Sequence, residues 1–509
     1  MLARVLSAGV VGIDGYVVTV EADVARGLPS FSMVGLGDHA VREGRDRVAS
    51  AIRNSGHSFP LERIIVNLAP ANIRKAGAGF DLPIAVGILA ATGQVETALL
   101  KSSIVVGELA LDGAVRGVSG VLPMVMAARR AGARRALVPI ENAAEAEAGS
   151  LEIRPVGSLG AALRVLTGGL ADEPPPARPR PRPARALDLR DVRGQATVKR
   201  ALEIAAGGGH NLLMVGPPGV GKTMLAERLA GILPPLSRDE AVAATVIHSV
   251  AGELPAGSGL LASRPFRAPH HTVSEAGLVG GGHLPRPGEA SLAHCGVLFL
   301  DELPEFRRSA LEALRQPIES GSVTVTRAMT TVSFPARFML VAGMNPCPCG
   351  NLGHPRKPCR CTPTAVRRYL ARISGPLLDR IDVQVHVGPP SVEELDAAPA
   401  GEGTAEVARR VASARAAQAR RRGESESLTN ARIPAGVLAR AVRPTGPAAA
   451  AARRTARALD LSARAYHKVL RLSRTIADLA GAREVEPPHV LEAAQYRGLE
   501  RRLAELLDI

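Results

Sequence analysis

The sequence is short of several things, and each shortage excludes something. Five cysteines in 509 residues cannot make a disulfide framework, so a reducing, cytoplasmic compartment is expected. The longest apolar run, near Leu82–Ala91, is about half of the roughly 20 residues that a bilayer helix needs. The opening Met1-Leu2-Ala3-Arg4 lacks a charged segment followed by an apolar one, so no signal peptide is expected. Tryptophan is absent, aromatics number 12, and 6 lysines stand against 57 arginines. With abundant alanine, that bias reads as GC-rich coding, and a sequence pI near 10.5 therefore says little about function. Apolar content is not lacking. At 46% hydrophobic the chain is globular rather than disordered for most of its length, which allows about three domains.

The distribution of charge is more informative than its total. The excess is +2 over residues 1–170, +2 over 171–186, +4 over 187–395 and +7 over 396–509. Locally, 351–380 hold seven basic groups and one acid, and 407–422 hold six arginines and no acid. Segments 356–372 and 409–422 are therefore candidate polyanion surfaces, the alternative for each being a solvated face.

Residues 173–185, EPPPARPRPRPAR, exclude helix and paired strand and read as a stiff linker. Before it, strand-like runs (Val17–Val20, Ile64–Asn67, Ile104–Val106, Arg135–Pro139) mix with helical ones (Asp38–Asn54, Asp81–Ala91, Leu122–Ala131), which predicts an α/β domain over 1–170. After the linker at 171–186, the strands Asn211–Val215, Gly296–Leu300 and Phe338–Ala342 predict a second α/β domain over 187–395. Residues 396–509 are rich in Ala, Leu and Arg at helical spacing and predict a small helical domain.

Gly216-Pro217-Pro218-Gly219-Val220-Gly221-Lys222-Thr223 is a GxxxxGK[ST] loop between an apolar strand and a helix. The glycines let backbone N–H groups converge on a phosphate, Lys222 supplies a point charge, and the Thr223 hydroxyl can ligate magnesium. Val297-Leu-Phe-Leu-Asp301-Glu302 is an apolar strand ending in two carboxylates. Asp301 would complete the magnesium shell and Glu302 would polarise an attacking water. ATP and Mg²⁺ are the cofactors these residues predict.

Further pieces resemble the AAA+ ring ATPases. Asp191-Val-Arg-Gly-Gln195 resembles their nucleotide-adjacent box, and Asn345 resembles the sensor that orients the lytic water. Leu377-Leu-Asp-Arg-Ile381 resembles the arginine-finger stretch of the magnesium-chelatase branch, which implies that Arg380 reaches a neighbouring subunit's γ-phosphate. Ser462-Ala-Arg464 resembles the second sensor, which implies that Arg464 acts on the nucleotide of its own subunit. Arg264-Pro-Phe-Arg-Ala-Pro-His270-His271 through Gly282 is similar to an insertion of magnesium-chelatase-type proteins. Adjacent histidine side chains are expected to diverge, which favours a loop role over metal binding. Ser322–Phe334 alternates like a hairpin with Arg327 near its tip, either solvated or, as in related ring helicases, touching DNA in the pore.

Ile64–Ile88 and Gly107–Ala136 resemble the proteolytic domain of Lon proteases, an S5-domain-2-like α/β fold. The resemblance puts the serine position at Gly79 and the lysine position at Leu122, where neither side chain can act, so no protease activity is expected. An inactive Lon-like domain joined to a magnesium-chelatase-like AAA+ module resembles the ComM/YifB family over essentially the whole chain. The resemblance implies a hexameric, ATP-driven DNA motor that migrates branched recombination intermediates in natural transformation, with single-stranded or branched DNA and recombination proteins as potential partners. A magnesium-chelatase motor subunit and a remodeller of protein complexes are the alternatives.

Cys347-Pro-Cys349-Gly and Cys359-Arg-Cys361 place four of the five cysteines in fifteen residues, within an insertion at 345–363. Two thiol pairs across a turn-rich loop suit a structural, tetrahedral zinc, with His354 a spare ligand; four free or redox-labile thiols are the alternative. The clip would present Arg356, Lys357, Arg360, Arg367 and Arg368 to DNA. Cys295 reads as a buried small hydrophobe.

Overall fold

The computed structural model describes residues 1–75, 77–95, 99–172, 187–282, 285–327, 330–390, 401–422 and 429–498. Most of the predicted linker, and the predicted boundary at 395/396, lie outside these residues, as does the side chain of Arg327.

The N-terminal unit is a mixed sheet covered by helices. Strands β1 (Leu2–Val11) and β2 (Asp14–Ala25) pair antiparallel without a break from Leu2–Asp23 to Val11–Asp14. Period-2 alternation turns Val18, Val20, Ala22 and Val24 inward. There follow β3 (Ser30–Val34), α1 (His39–Asn54), β4 (Arg63–Ala69), α2 (Asp81–Ala91), β5 (Ser103–Val105), α3 (Val121–Arg130), β6 (Arg135–Pro139), β7 (Glu152–Val156) and α4 (Leu159–Leu166). The sheet order is β3-β4-β2-β1-β5-β6-β7, antiparallel only at β1–β2 and β2–β4. The longest apolar run of the sequence is α2, a helix buried along its whole length. Its one acid, Asp81, is met by Arg47 of α1 at 2.7 Å. Burial still raises the Asp81 carboxyl to about 6.

The second unit is built on an all-parallel sheet. In chain order come α5 (Ala196–Gly208), β8 (Leu212–Val215), α6 (Lys222–Ile232), α7 (Arg238–Ala251), β9 (Phe266–Arg267) and β10 (Val297–Leu300). The hairpin β11 (Ser322–Arg327) and β12 (Thr330–Pro335) then precedes β13 (Met339–Met344), α8 (Pro363–Leu370) and β14 (Val383–His386). The sheet order is β9-β10-β13-β8-β14, so β13 lies between the P-loop strand and the acidic strand. Strands β8, β10 and β13 are buried at every residue, as expected for a parallel sheet covered on both faces. In open parallel sheets the crevice beyond the carboxyl ends of the strands receives ligands, and three of the predicted site elements end there.

Helices α9 (Thr404–Arg422), α10 (Gly446–Ala458), α11 (Ala463–Leu479) and α12 (Pro487–Gln495) form the third unit. A buried polar chain ties it to the sheet. His210 contacts Asp382 (3.3 Å) and Thr475 (2.8 Å), and Lys468 of α11 contacts Asp382 (3.0 Å). The N-terminal unit docks through the Gly120 N–H, which donates to both the carbonyl and the hydroxyl of Ser249 in α7 (3.1 Å each). The β1–β2 turn also seats Ile13 on the apolar cluster beneath the β11–β12 hairpin.

Candidate active site

The loop 216–221 joins β8 to α6, and Gly219 and Gly221 both have positive φ (79° and 89°). Lys222 is 9% exposed, and its ammonium donates to the carbonyls of Gly216 (2.8 Å) and Pro217 (3.0 Å) and to Asn345 Oδ1 (3.0 Å). Burial lowers its pKa, against the pull of Asp301 and Glu302. The predicted sensor and the predicted phosphate lysine are thus in direct contact, because Asn345 ends the strand beside β8.

Thr223 Oγ1 donates to Asp301 Oδ2 at 2.7 Å. In an octahedron of oxygens at 2.0–2.1 Å, neighbouring ligands lie about 2.9 Å apart, so this pair fits two adjacent positions of a magnesium shell. Asp301 sits over Gly343 of β13, where a Cβ would lie 2.7 Å from Asp301 Oδ1. Any larger residue would push the carboxylate aside. Glu302 has a left-handed φ of 54° and projects from the strand tip, more than half exposed.

The residue that holds Glu302 was not foreseen in the sequence. His271 Nδ1 lies 3.3 Å from Glu302 Oε2. The expectation that His270 and His271 diverge is overturned, since their rings are 4.1 Å apart and tilted by 33°. Two arginines of the same segment fix it: Arg264 binds Glu240 (2.9 Å) and the Cys295 carbonyl (2.6 Å), and Arg267 binds Glu289 (2.7 Å) and Glu253 (2.8 Å). These arginines anchor the loop, and His271, for which a loop role was expected, reaches the acidic pair. Cys295 is half-buried, and burial pushes its thiol up to about 11.

Arg380 and Arg464 are together, and neither is at the P-loop. Arg380 pairs with Glu319 at 2.7 Å, and Arg464 pairs with the same Glu319 (3.2 Å) and with Asp379 (3.3 Å). Asn211, at the start of β8, donates to the Arg380 carbonyl (3.0 Å). The two arginines therefore lie at the amino end of the strand whose carboxyl end carries the P-loop, and four residues of strand span roughly 13 Å. In this chain Arg464 lies at the end of β8 opposite to its own P-loop. Both arginines line an open cleft of ≈ 480 Å³ that also holds Lys468, Arg471 and Arg432.

The four sulfurs of Cys347, Cys349, Cys359 and Cys361 all lie within 4.8 Å of one another. Burial raises the Cys349 thiol, but N–H groups of Arg360 and Asn351 and neighbouring thiols outweigh it and bring it to about 6. His354 is not a fifth ligand: its Nδ1 accepts from the N–H groups of Arg356 (3.0 Å) and Lys357 (3.1 Å). The side chains of Arg356, Lys357, Arg360, Arg367 and Arg368 are all exposed, with no acidic partner among the described residues. The second basic segment is different. Arg410 pairs with Glu203 and Glu402, Arg415 donates to the Ala206 carbonyl, and Arg421 pairs with Asp478. As a continuous polyanion surface, 409–422 is therefore corrected; only Arg409 and Arg420 are exposed among its described arginines.

In the N-terminal unit, Leu122 is fully buried in α3, and the space beside Gly79 is lined by Val118 and Val106. No helix among the described residues is long and apolar enough to cross a membrane.

A parallel sheet with a P-loop, an acidic strand and a sensor strand between them defines an ATPase of the AAA+ type. Three family models match: magnesium chelatase, subunit ChlI, over 188–395; subunit ChlI of Mg-chelatase over 20–142; and magnesium chelatase, subunit ChlI C-terminal, over 401–497. The uncharacterized protein YifB of Salmonella typhimurium is 44% identical over 99% of both chains. The competence protein ComM of Haemophilus influenzae is 43% identical over 100% of both. The magnesium-chelatase 38 kDa subunit of Rhodobacter capsulatus is 30% identical, over 30% of this chain and 48% of its own. The chain belongs to the ComM/YifB family of magnesium-chelatase-like AAA+ proteins.

Proposed function

We propose that this protein is an ATP-dependent DNA motor that works as a ring of like subunits, six by family resemblance. The observation that carries the ring is the separation of Lys222 from Arg380 and Arg464 along β8. One chain supplies the phosphate lysine, the magnesium ligands Thr223 and Asp301, and Glu302 to order the water. A neighbour supplies the two arginines for charge developing on the γ-phosphate. Glu319 and Asp379 hold those arginines ready, and ATP binding would draw them across the interface before hydrolysis. ATP and magnesium are the cofactors, and the cysteine cluster would hold a structural zinc. The N-terminal unit, inactive as a protease, would organise the ring. DNA contact would fall to the exposed arginines of the cysteine-rich insertion and to Arg327 at the hairpin, which supports a helicase or branch-migration output. A relative named a competence protein is in keeping with natural transformation. A metal-chelatase role has less support, since YifB and ComM match along essentially the whole chain, whereas the magnesium-chelatase 38 kDa subunit of Rhodobacter capsulatus matches 30% of it.

Mixing decides the trans arrangement. Lys222→Ala and Arg380→Ala subunits, each inactive alone, should recover a fraction of ATPase activity when co-assembled. No recovery in rings shown to contain both variants sinks it. Branched or single-stranded DNA should raise turnover several-fold, and no response at modest salt removes the DNA reading.

A further inference from the structure

The thiol cluster lies against the nucleotide site, and the contacts between the two are specific. Cys347 follows Asn345 by two residues and is fully buried. Its sulfur is 3.4 Å from that of Cys349 and 3.7 Å from that of Cys359, while Cys349 and Cys359 are 3.7 Å apart. Zinc–sulfur bonds of 2.3 Å in a tetrahedron place sulfurs about 3.8 Å apart, whereas a disulfide needs about 2.05 Å. The cluster matches the edges of one tetrahedral ion. The next residue of the knuckle, Gly350, has a φ of +79° and lies so close to the P-loop that a Cβ would meet Pro218 Cδ at 2.5 Å.

The second knuckle closes a circuit. Cys361 leads directly into Thr362, whose side chain caps α8. From α8, buried Tyr369 reaches back to the Asn345 backbone: burial raises the phenol pKa, against the smaller, lowering effect of that backbone's proximity. Strand β13, the first knuckle, the second knuckle and α8 thus form a loop that begins and ends at Asn345, the partner of Lys222. The two knuckles meet at the thiols and at the Arg360 N–H beside Cys349, and the Gly350 N–H donates to the Cys347 carbonyl (3.0 Å); a shared ion would add the strongest of these links and hold Gly350 against Pro218.

We propose that one zinc ion bound by Cys347, Cys349, Cys359 and Cys361 braces the P-loop and Asn345, so that metal occupancy sets nucleotide affinity. The inference rests on the reading of loop 216–223 as an ATP site and of the cysteines as a zinc site. It adds a coupling between them that makes the ATPase responsive to zinc supply or thiol oxidation.

The test uses the full-length protein purified without added metal. About one zinc per chain is expected. Chelation by a strong zinc ligand should weaken binding of a fluorescent ATP analogue about ten-fold, and added zinc should restore it. Cys359→Ser/Cys361→Ser should reproduce the weak binding without responding to zinc. Full zinc occupancy with unchanged nucleotide affinity after its removal overturns the brace alone. Zinc well below one equivalent, with four freely titratable thiols, overturns the metal site and the brace with it. Lys222→Ala should lose nucleotide but keep zinc; if it binds nucleotide like the wild type, the ATP-site reading fails instead.

Discussion

Two segments of this chain carry a similar density of cations and have opposite fates. In 356–368, five cations stand on an exposed loop and a short amphipathic helix, with no carboxylate partner among the described residues. In α9, Arg410, Arg415 and Arg421 turn inward to Glu203, the end of α5 and Asp478. The difference arises from what each segment packs against. Helix α5 ends at Gly208 beneath α9 and presents carbonyls with no intrahelical partner, and arginine is the side chain that can reach and satisfy them. The insertion has no such neighbour. Charge density in a sequence therefore locates arginine, while the packing surface decides whether it binds a polyanion or holds the fold.

The largest expected effect tests the exposed segment. Replacing Arg356, Lys357, Arg360, Arg367 and Arg368 by alanine should weaken DNA binding about 10³-fold at 0.1 M salt. The log–log salt slope should become shallower by about 4. Zinc content and DNA-free ATPase should stay unchanged, since the Arg360 contribution to the cluster is its backbone N–H. An unchanged slope breaks the comparison outright.

Next comes the buried segment. Arg421→Ala leaves Asp478, almost fully buried, with Arg474 and Asn430 alone. A loss of about 3 kcal/mol is expected in denaturant unfolding, with no change in the DNA salt slope. A variant as stable as the parent would mean that α9 does not need its inward charges.

Protons test the buried side of the comparison without mutation. His294 is buried beside β13, and its Nδ1 accepts from the Arg337 N–H (3.0 Å). Burial lowers its pKa to about 4, with Arg337 adding to the shift. The unfolded chain takes up this proton first, so the stability is full above the unfolded value near 6.5 and is lost as pH falls toward 4. Between pH 7 and 5 the loss should be about 2 kcal/mol, and His294→Asn should flatten it. Equal pH dependence in both proteins would remove His294 as the cause.

The sequence made the catalytic strands legible because they are short apolar runs that end in the residues of interest, and β8, β10 and β13 lie where those runs predict. The hairpin β1–β2 is only half visible, since Val17–Val20 reads as a strand while Leu2–Val11 is defined by its pairing with it. Arg464 shows the commoner limit. Its order after Arg380 was readable, but which end of β8 it faces depends on how α11 docks through Lys468 and Asp382, a contact 86 residues apart in the chain. His271 was missed for a related reason: its partner Glu302 is 31 residues away, and the structure joins them through Arg264 and Arg267.

The smallest expected effect is the most pointed check on the comparison. Among the described side chains, Arg409 and Arg420 are the exposed arginines of the same helix that turns Arg410, Arg415 and Arg421 inward. Their neighbours in sequence are as basic as the insertion, but their neighbours in space are the solvated side of α9. Arg409→Ala/Arg420→Ala should change stability by less than about 0.5 kcal/mol. DNA affinity should fall by no more than about three-fold at 0.1 M salt, since two screened charges without a formed groove add little. A loss comparable to that of the insertion variant would show that α9 binds DNA with its outer face while holding the second and third units together with its inner one, and the two segments would then differ in degree rather than in kind.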